Sequence, residues 1–279
     1  MCIRDRTQVR EAALDLLPEL SRDGGDPLLE DGFVVGMVAQ HELQHVETMT
    51  QTLELAGLPG LALLGPPEVK ASGEIVVRGG PFTLGSTDPW AYDNERPAHA
   101  VDLPAFRIDR GLVTNEDYAE FVEAGGYRDA EVWSPEGWAW RDAERVAAPL
   151  GWDLDGEPLP PRKPVQHISF YEAQAYARWV GKRLPSEAEW EKAVKTAAGE
   201  LEHLRGAVWQ WTSSFFDGYP GFRARPYPEY SEPFFGEEYK VLRGGSWATD
   251  PLVARPTFRN WDLPQRRQIF SGLRCARDV

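Results

Sequence analysis

Apolar residues recur at three- and four-residue spacing through "TQVREAALDLLPEL" (7–20) and "FVVGMVAQHELQHVETMTQTLELAG" (33–57). That is the period of helices with one apolar face. Gly57 followed by Pro59 supplies a stop for the second. The spacing therefore predicts two helices of a bundle, and two helices alone have a poor ratio of core to surface. The opening "MCIRDR" carries neither a helix signal nor targeting logic and reads as an assembly or cloning scar in place of a longer native N-terminus. Glycines and prolines then break both periodicities in "GLPGLALLGPPEVKASG". The chain divides accordingly into a partial helical bundle (1–60), a linker (61–72) and a second unit over 73–279.

In the second unit the pattern changes to short strands and long irregular loops. Two helices are readable within it, "SFYEAQAYARWVG" and another opening at "LPSEAEWEKAV", where Ser186 and Glu189 have the spacing of a capping box. All 11 tryptophans fall after residue 89, as expected where large aromatic side chains, rather than ladders, hold irregular backbone. The fold class predicted is α+β.

Composition narrows the options. At 279 residues and 42% apolar content the chain can bury a sizeable core. It has no apolar run of membrane-spanning length and no secretory core at its start, so a cytoplasmic protein is the default. Cys2 and Cys275 stand at opposite ends, which excludes a disulfide framework and a cysteine-built zinc site. A net charge of −14 and a pI near 4.9 argue against nucleic acid as a partner.

Candidate chemistry begins at "QHELQHVETM". His41 and His45 share one helix face, with Cβ atoms about 5–6 Å apart, and could hold one ion between them. The plain alternative is a polar face with two solvated histidines. Gln44 lies between them, Glu47 follows, and Val38, Val46, Met49 and Leu53 form an apolar face opposite, so the histidine face is expected to look inward to a site. Two imidazoles do not complete an iron centre. His99 and His167 read as strand-edge residues buried by packing and His203 as exposed on a loop, which leaves the third ligand unassigned. Near the C-terminus Asn260, Trp261 and Asp262 are followed by Arg266 and Arg267. Such a group can read a small zwitterion through an amide, an indole face, a carboxylate and a guanidinium, or it can be a buried structural network. Tyr219, Tyr227 and Tyr230 lie on a loop too long to be a mere connector, and one phenol could deliver a proton to a reacting oxygen species.

The stretches "SFYEAQAYARWVGKRLPSEAEWEKA", "GAVWQWTSS" and "YKVLRGGSW" resemble the formylglycine-generating-enzyme/sulfatase-modifying domain, of C-type-lectin-like fold, over about 73–279. "HELQHVETM" is similar to the iron-binding helix of a DinB-like bundle, and "TFRNWDLPQRRQIFSG" resembles the ergothioneine-forming sulfoxide synthases. That resemblance implies Fe(II), with O2 as co-substrate, and a C–S bond formed between Nα-trimethylhistidine (hercynine) and γ-glutamylcysteine or cysteine, leaving a sulfoxide. It implies His41 and His45 as iron ligands, Gln44 as a contact of the substrate imidazole, and Asn260 and Trp261 as hercynine contacts. Asp262 and Arg266 would belong to the thiol pocket, Tyr227 would be the proton donor and Tyr230 its substrate-facing neighbour. The family's third histidine and a pair of thiol-binding arginines precede the HxxxH helix and have no counterpart here, so weak iron binding and little turnover are expected. A formylglycine-generating enzyme is disfavoured because that chemistry uses a pair of cysteines in the C-terminal half, where this chain offers only Cys275. A selenoneine-type synthase using a selenosugar and an iron-independent ligand-binding module are the alternatives.

Overall fold

The computed structural model describes residues 3–20, 25–57, 64–153, 156 and 159–279. Cys2, the Pro59 stop and the start of the linker lie outside these residues. Helices α1 (Ile3–Leu16) and α2 (Phe33–Leu55) match the two periodic stretches, with α1 beginning inside the segment read as lacking a helix signal. From Thr7 to Pro18 every side chain is exposed, so α1 does not form the packed helix pair expected from its periodicity. A DinB-like bundle is not shown.

The second unit opens with strands β1 (Glu74–Val77), β2 (Gly80–Leu84), β3 (His99–Leu103) and β4 (Phe106–Asp109). Four helices follow: α3 (Asn115–Glu123), α4 (Pro135–Ala143), α5 (Phe170–Trp179) and α6 (Glu187–Ala197). The remaining strands are β5 (Trp209–Phe215), β6 (Lys240–Arg243), β7 (Asn260–Asp262), β8 (Ser271–Gly272) and β9 (Ala276–Asp278). They build a three-stranded sheet β1-β4-β9, a β2-β3 hairpin and a four-stranded sheet β7-β6-β5-β8. Pairing is antiparallel except between β5 and β8. The two foreseen helices carry serine capping boxes, Ser169 with Glu172 and Ser186 with Glu189. Helices α3 and α4 escape the periodicity because each has nine residues, although Thr114 with Asp117 and Ser134 before Pro135 mark their starts.

The fold buries two apolar layers. Helix α6 lays Trp190, Ala193 and Val194 on Ile75, Val77, Phe106 and Ile108 of the first sheet. Helices α3 and α5 set Tyr118, Phe121 and Tyr176 into the larger core with Trp211 and Leu242. Buried charge joins the layers. Glu187 of α6 accepts a two-pronged pair of bonds from Arg259 (2.8 and 2.9 Å), and Arg243 pairs with Glu191. Arg259 also donates to the Asn94 carbonyl at 2.7 Å, tying the turn at 92–95 to the chain entering β7.

At the edge of the first sheet, Glu74 receives Arg277 at 2.7 Å and Lys182 at 3.1 Å. The Arg277 hydrogen bond, outweighing desolvation and helped by Lys182, holds the Glu74 carboxyl down at about 2. A depressed carboxyl contributes stability that is fully present above its ordinary pKa of 4.5 and is lost as pH falls toward 2. Wild type is therefore expected to be more stable than Glu74→Gln at pH 7, with the gap closing between pH 4.5 and pH 2. Urea midpoints across that range test this, and a gap that does not change with pH contradicts it.

Candidate active site

Helix α2 meets the second unit through its polar face. Gln40, Glu47 and Gln51 are buried, while Val38, Val46, Met49 and Leu53 are 52, 50, 58 and 37% exposed. This corrects the expectation that the histidine face looks inward. The covered face carries Gln40, Glu47 and Gln51 beside Phe33, Met37 and Leu43, and His41 and His45 flank it, exposed, because each helical residue is turned about 100° from the last.

Four groups of contacts hold that face. Glu47 accepts from Trp209 Nε1 (2.7 Å), Ser246 Oγ (2.6 Å) and Thr249 Oγ1 (2.6 Å). Gln40 accepts from Arg255 and donates to the Trp90 carbonyl at 3.0 Å, and Arg255 continues to Glu95 at 2.5 Å. Glu54 faces His167 at 3.7 Å. Gly36 completes the fit, since a Cβ there would stand 2.5 Å from the Trp90 indole. Glycine costs a helix roughly 1 kcal/mol of conformational entropy relative to alanine, which this close approach offsets.

The next contact leads into the candidate site. Gln44 donates from Nε2 to the hydroxyl of buried Tyr92 at 2.8 Å. Tyr92 stacks on Tyr230, with centroids 4.8 Å apart and planes 19° apart, and the two hydroxyls are hydrogen-bonded. Tyr230 stands edge-on to Trp261 at 6.1 Å and to Tyr227 at 6.5 Å. Trp261 stacks on Phe216 at 4.1 Å. Burial pushes the Tyr92 phenol up, and burial followed by the Tyr92 neighbour pushes Tyr230 well above its ordinary value, so both stay protonated at neutral pH. The loop is fixed from below, where Asp93 accepts from Ser231 Oγ at 2.6 Å and Ser231 accepts from Asn94 at 3.1 Å.

Four of the expected residues meet at this place. Gln44 on α2, Tyr227 and Tyr230 at a short turn, and Trp261 on β7 share one aromatic cluster. Asn260 and Asp262 flank Trp261 on the same strand, and Arg266 stands 3.7 Å from Asp262. Burial raises the Asp262 carboxyl, opposed by the Leu263 N–H and Arg266. Arg267 points elsewhere, to Glu172 at 3.0 Å. Tyr227 is 46% exposed, whereas Tyr219 is buried with its hydroxyl 3.4 Å from Glu187.

His41 and His45 place their ring centroids 4.5 Å apart. Among the described residues no third histidine, cysteine or carboxylate joins them, and neither ring has a protein hydrogen-bond partner. The other histidines are engaged elsewhere. His99 opens β3 with Nδ1 3.0 Å from the Pro97 carbonyl. His167 is corrected from strand edge to a loop position at φ +59°, with Nδ1 3.1 Å from the Arg267 carbonyl. His203 is half-buried rather than exposed, 2.7 Å from the Glu68 carbonyl.

The family model for the sulfatase-modifying factor enzyme 1-like domain matches residues 62–203 and 195–279. The hercynine oxygenase of Mycolicibacterium smegmatis is 42% identical over 332 residues, covering 97% of this chain and 76% of that protein. The chain belongs to the hercynine oxygenase family. A second hercynine oxygenase, from Mycolicibacterium thermoresistibile, is 44% identical over 97% of this chain and 73% of its own. The solved structure of PvdO from Pseudomonas aeruginosa, with a TM-score of 0.50 and 20% identity over 78% of this chain and all of its own, shares the fold. Among the described residues no helix is long and apolar enough to cross a membrane.

Within this family member, the sequence reading missed Tyr92, Trp90 and Arg255 and gave Glu47 no role. The available signal was "WAYDNERPAH", where two aromatics precede four polar residues in a stretch read only as part of the irregular second unit. Glu47→Ala leaves three buried donors without an acceptor, each worth roughly 1–3 kcal/mol when unmade. We expect α2 to be cleaved by thermolysin at least about tenfold faster in this variant, with the second unit still resistant, and with Glu47→Gln milder. Equal cleavage rates in wild type and Glu47→Ala would show that Glu47 does not anchor the helix.

Proposed function

We propose that this chain is an Fe(II)- and O2-dependent oxygenase that joins the sulfur of γ-glutamylcysteine or cysteine to the imidazole C2 of hercynine and leaves a sulfoxide, a step of ergothioneine formation. The observation that carries the reading is the bond from Gln44 to Tyr92, which connects the HxxxH helix to the Tyr230/Trp261 cluster. The sum of the reaction is thiol plus imidazole C–H plus O2 giving the sulfoxide conjugate and one water. Both hydrogens leave in the water, and O2 takes up all four electrons.

His41 and His45 fit half of an iron site, since two free imidazoles lie side by side on one helix flank. Iron, when bound, supplies a place to bind and activate oxygen. The protein's own residues do the rest. The indole of Trp261, braced by Phe216, offers an aromatic face suited to a quaternary ammonium. Asp262 with Arg266 offers a carboxylate and a guanidinium to the amine and carboxylate of the thiol. Gln44 and Tyr230 present amide and phenol to the imidazole. Tyr227, half in solvent at the edge of the cluster, holds the phenolic proton delivered to the oxygen being reduced.

A mass-spectrometric product assay tests this on the protein with its native upstream segment restored, together with Fe(II), air, hercynine, and γ-glutamylcysteine or cysteine in parallel. The expected product is a sulfoxide conjugate with one of the two thiols. Tyr227→Phe is expected to raise the ratio of simple thiol oxidation to conjugate at least about tenfold. Unchanged conjugate from Tyr227→Phe would remove its role, and bound iron without any conjugate would turn the reading toward a selenium donor or a binding module.

A further inference from the structure

The far end of α2 meets the second unit at a cleft of about 470 Å³ that the candidate active site does not use. Glu54 lies ten residues beyond Gln44, about 15 Å along the helix, so the two places are distinct. Opposite charges line the cleft without pairing with each other. Lys163, half-buried, has no acceptor among the described residues, and its Nζ lies against Gly65, where an added Cβ would stand 3.3 Å from it. Gln166 beside it accepts from Trp247 Nε1 through Oε1 at 3.0 Å, which leaves Nε2 as a second donor. Glu54 faces His167 Nε2 at 3.7 Å, beyond direct hydrogen-bond reach. His167 is 8% exposed, at φ +59°, with Nδ1 3.1 Å from the Arg267 carbonyl. A carbonyl can only accept, so Nδ1 carries the proton of the neutral ring and Nε2 faces the carboxylate as a second acceptor. A donor entering between them finds both. Trp152, Leu55 and Leu159 supply apolar wall, the two leucines 44 and 42% exposed.

We propose that this cleft binds a free apolar α-amino acid, with its carboxylate on Lys163 and Gln166, its ammonium shared by Glu54 and His167, and its side chain against Trp152, Leu55 and Leu159. The class follows from the set of groups. A simple anion would leave Glu54 and His167 without a donor, and a simple amine would leave Lys163 without an acceptor. Pockets for small molecules begin at about 300 Å³, so the volume suffices. Glu54 belongs to α2, while Lys163, Gln166 and His167 belong to the second unit, so the ligand bridges the two and holds the end of the helix. None of this depends on the hercynine reading.

The test is a ligand-detected NMR titration of the full chain with L-leucine and its two halves, 4-methylpentanoate, which lacks the ammonium, and 3-methylbutylamine, which lacks the carboxylate. Leucine is expected to bind at least about tenfold tighter than either half. Lys163→Met should weaken leucine about tenfold and leave 3-methylbutylamine within about twofold, and Glu54→Gln should weaken leucine equally and spare 4-methylpentanoate. Lys163→Arg, which keeps the charge, should bind leucine within about twofold of wild type. The spared half-ligand shows in each variant that the cleft is intact. Absence of leucine binding, leucine binding that neither Lys163→Met nor Glu54→Gln weakens, or loss of both halves from either variant overturns the assignment.

Discussion

The candidate site depends on a carboxyl group buried without a cation. Glu47 is 4% exposed, and its partners are an indole and two hydroxyls contributed by β5 and the loop after β6, with the Gln51 amide of its own helix at 3.5 Å. Hydrophobic contact is non-directional and would tolerate rotation of α2 about its axis. Hydrogen bonds to fixed donors do not, because a turn of even one residue carries Glu47 about 100° away from them. The polar docking face therefore specifies the rotation of the helix, and with it the side on which His41 and His45 stand. Gln40 with Arg255 and Glu54 with His167 repeat the constraint nearer the two ends.

What the helix is pinned to is itself held by buried charge. Glu187, Arg259 and Arg243 join α6 to the chain entering β7, and Arg259 reaches the turn that carries Tyr92. Leaving any one of these charges unpaired would cost several kcal/mol, while the intact set is largely balanced against its own desolvation. The network contributes a defined geometry more than net stability. Four segments far apart in sequence, α2, the 92–95 turn, the 227–230 turn and β7, meet because each is tied to this frame.

Periodicity found α1, α2, α5 and α6 because each spans ten residues or more with a clear stop or cap, and it missed the nine-residue α3 and α4. The grouping of Gln44 with Tyr227, Tyr230 and Trp261 was legible only through resemblance of motifs, since nothing in spacing links residue 44 to residue 261. The orientation of α2 was misread for a physical reason. An apolar face opposite the histidines was taken to turn them inward, whereas the partner offers Trp209, Ser246, Thr249 and Arg255 as donors and so selects the Gln/Glu side of the helix. Tyr92 was invisible for a related reason, because a tyrosine in a turn has no pattern to declare that its hydroxyl is spoken for on two sides.

Gly36 gives the helix an uneven tolerance to change. By propensity alone it is a defect in the middle of α2, and replacing it would look like an improvement. Yet a single methyl there meets the Trp90 indole, and either the indole shifts or the helix tilts about that contact. Tilting would act as a lever, with its fulcrum at one end and the histidine pair about a turn and more along the shaft. The separation between the histidine flank and the aromatic cluster is thus gauged by the thickness of one hydrogen atom, at a residue that makes no contact with either.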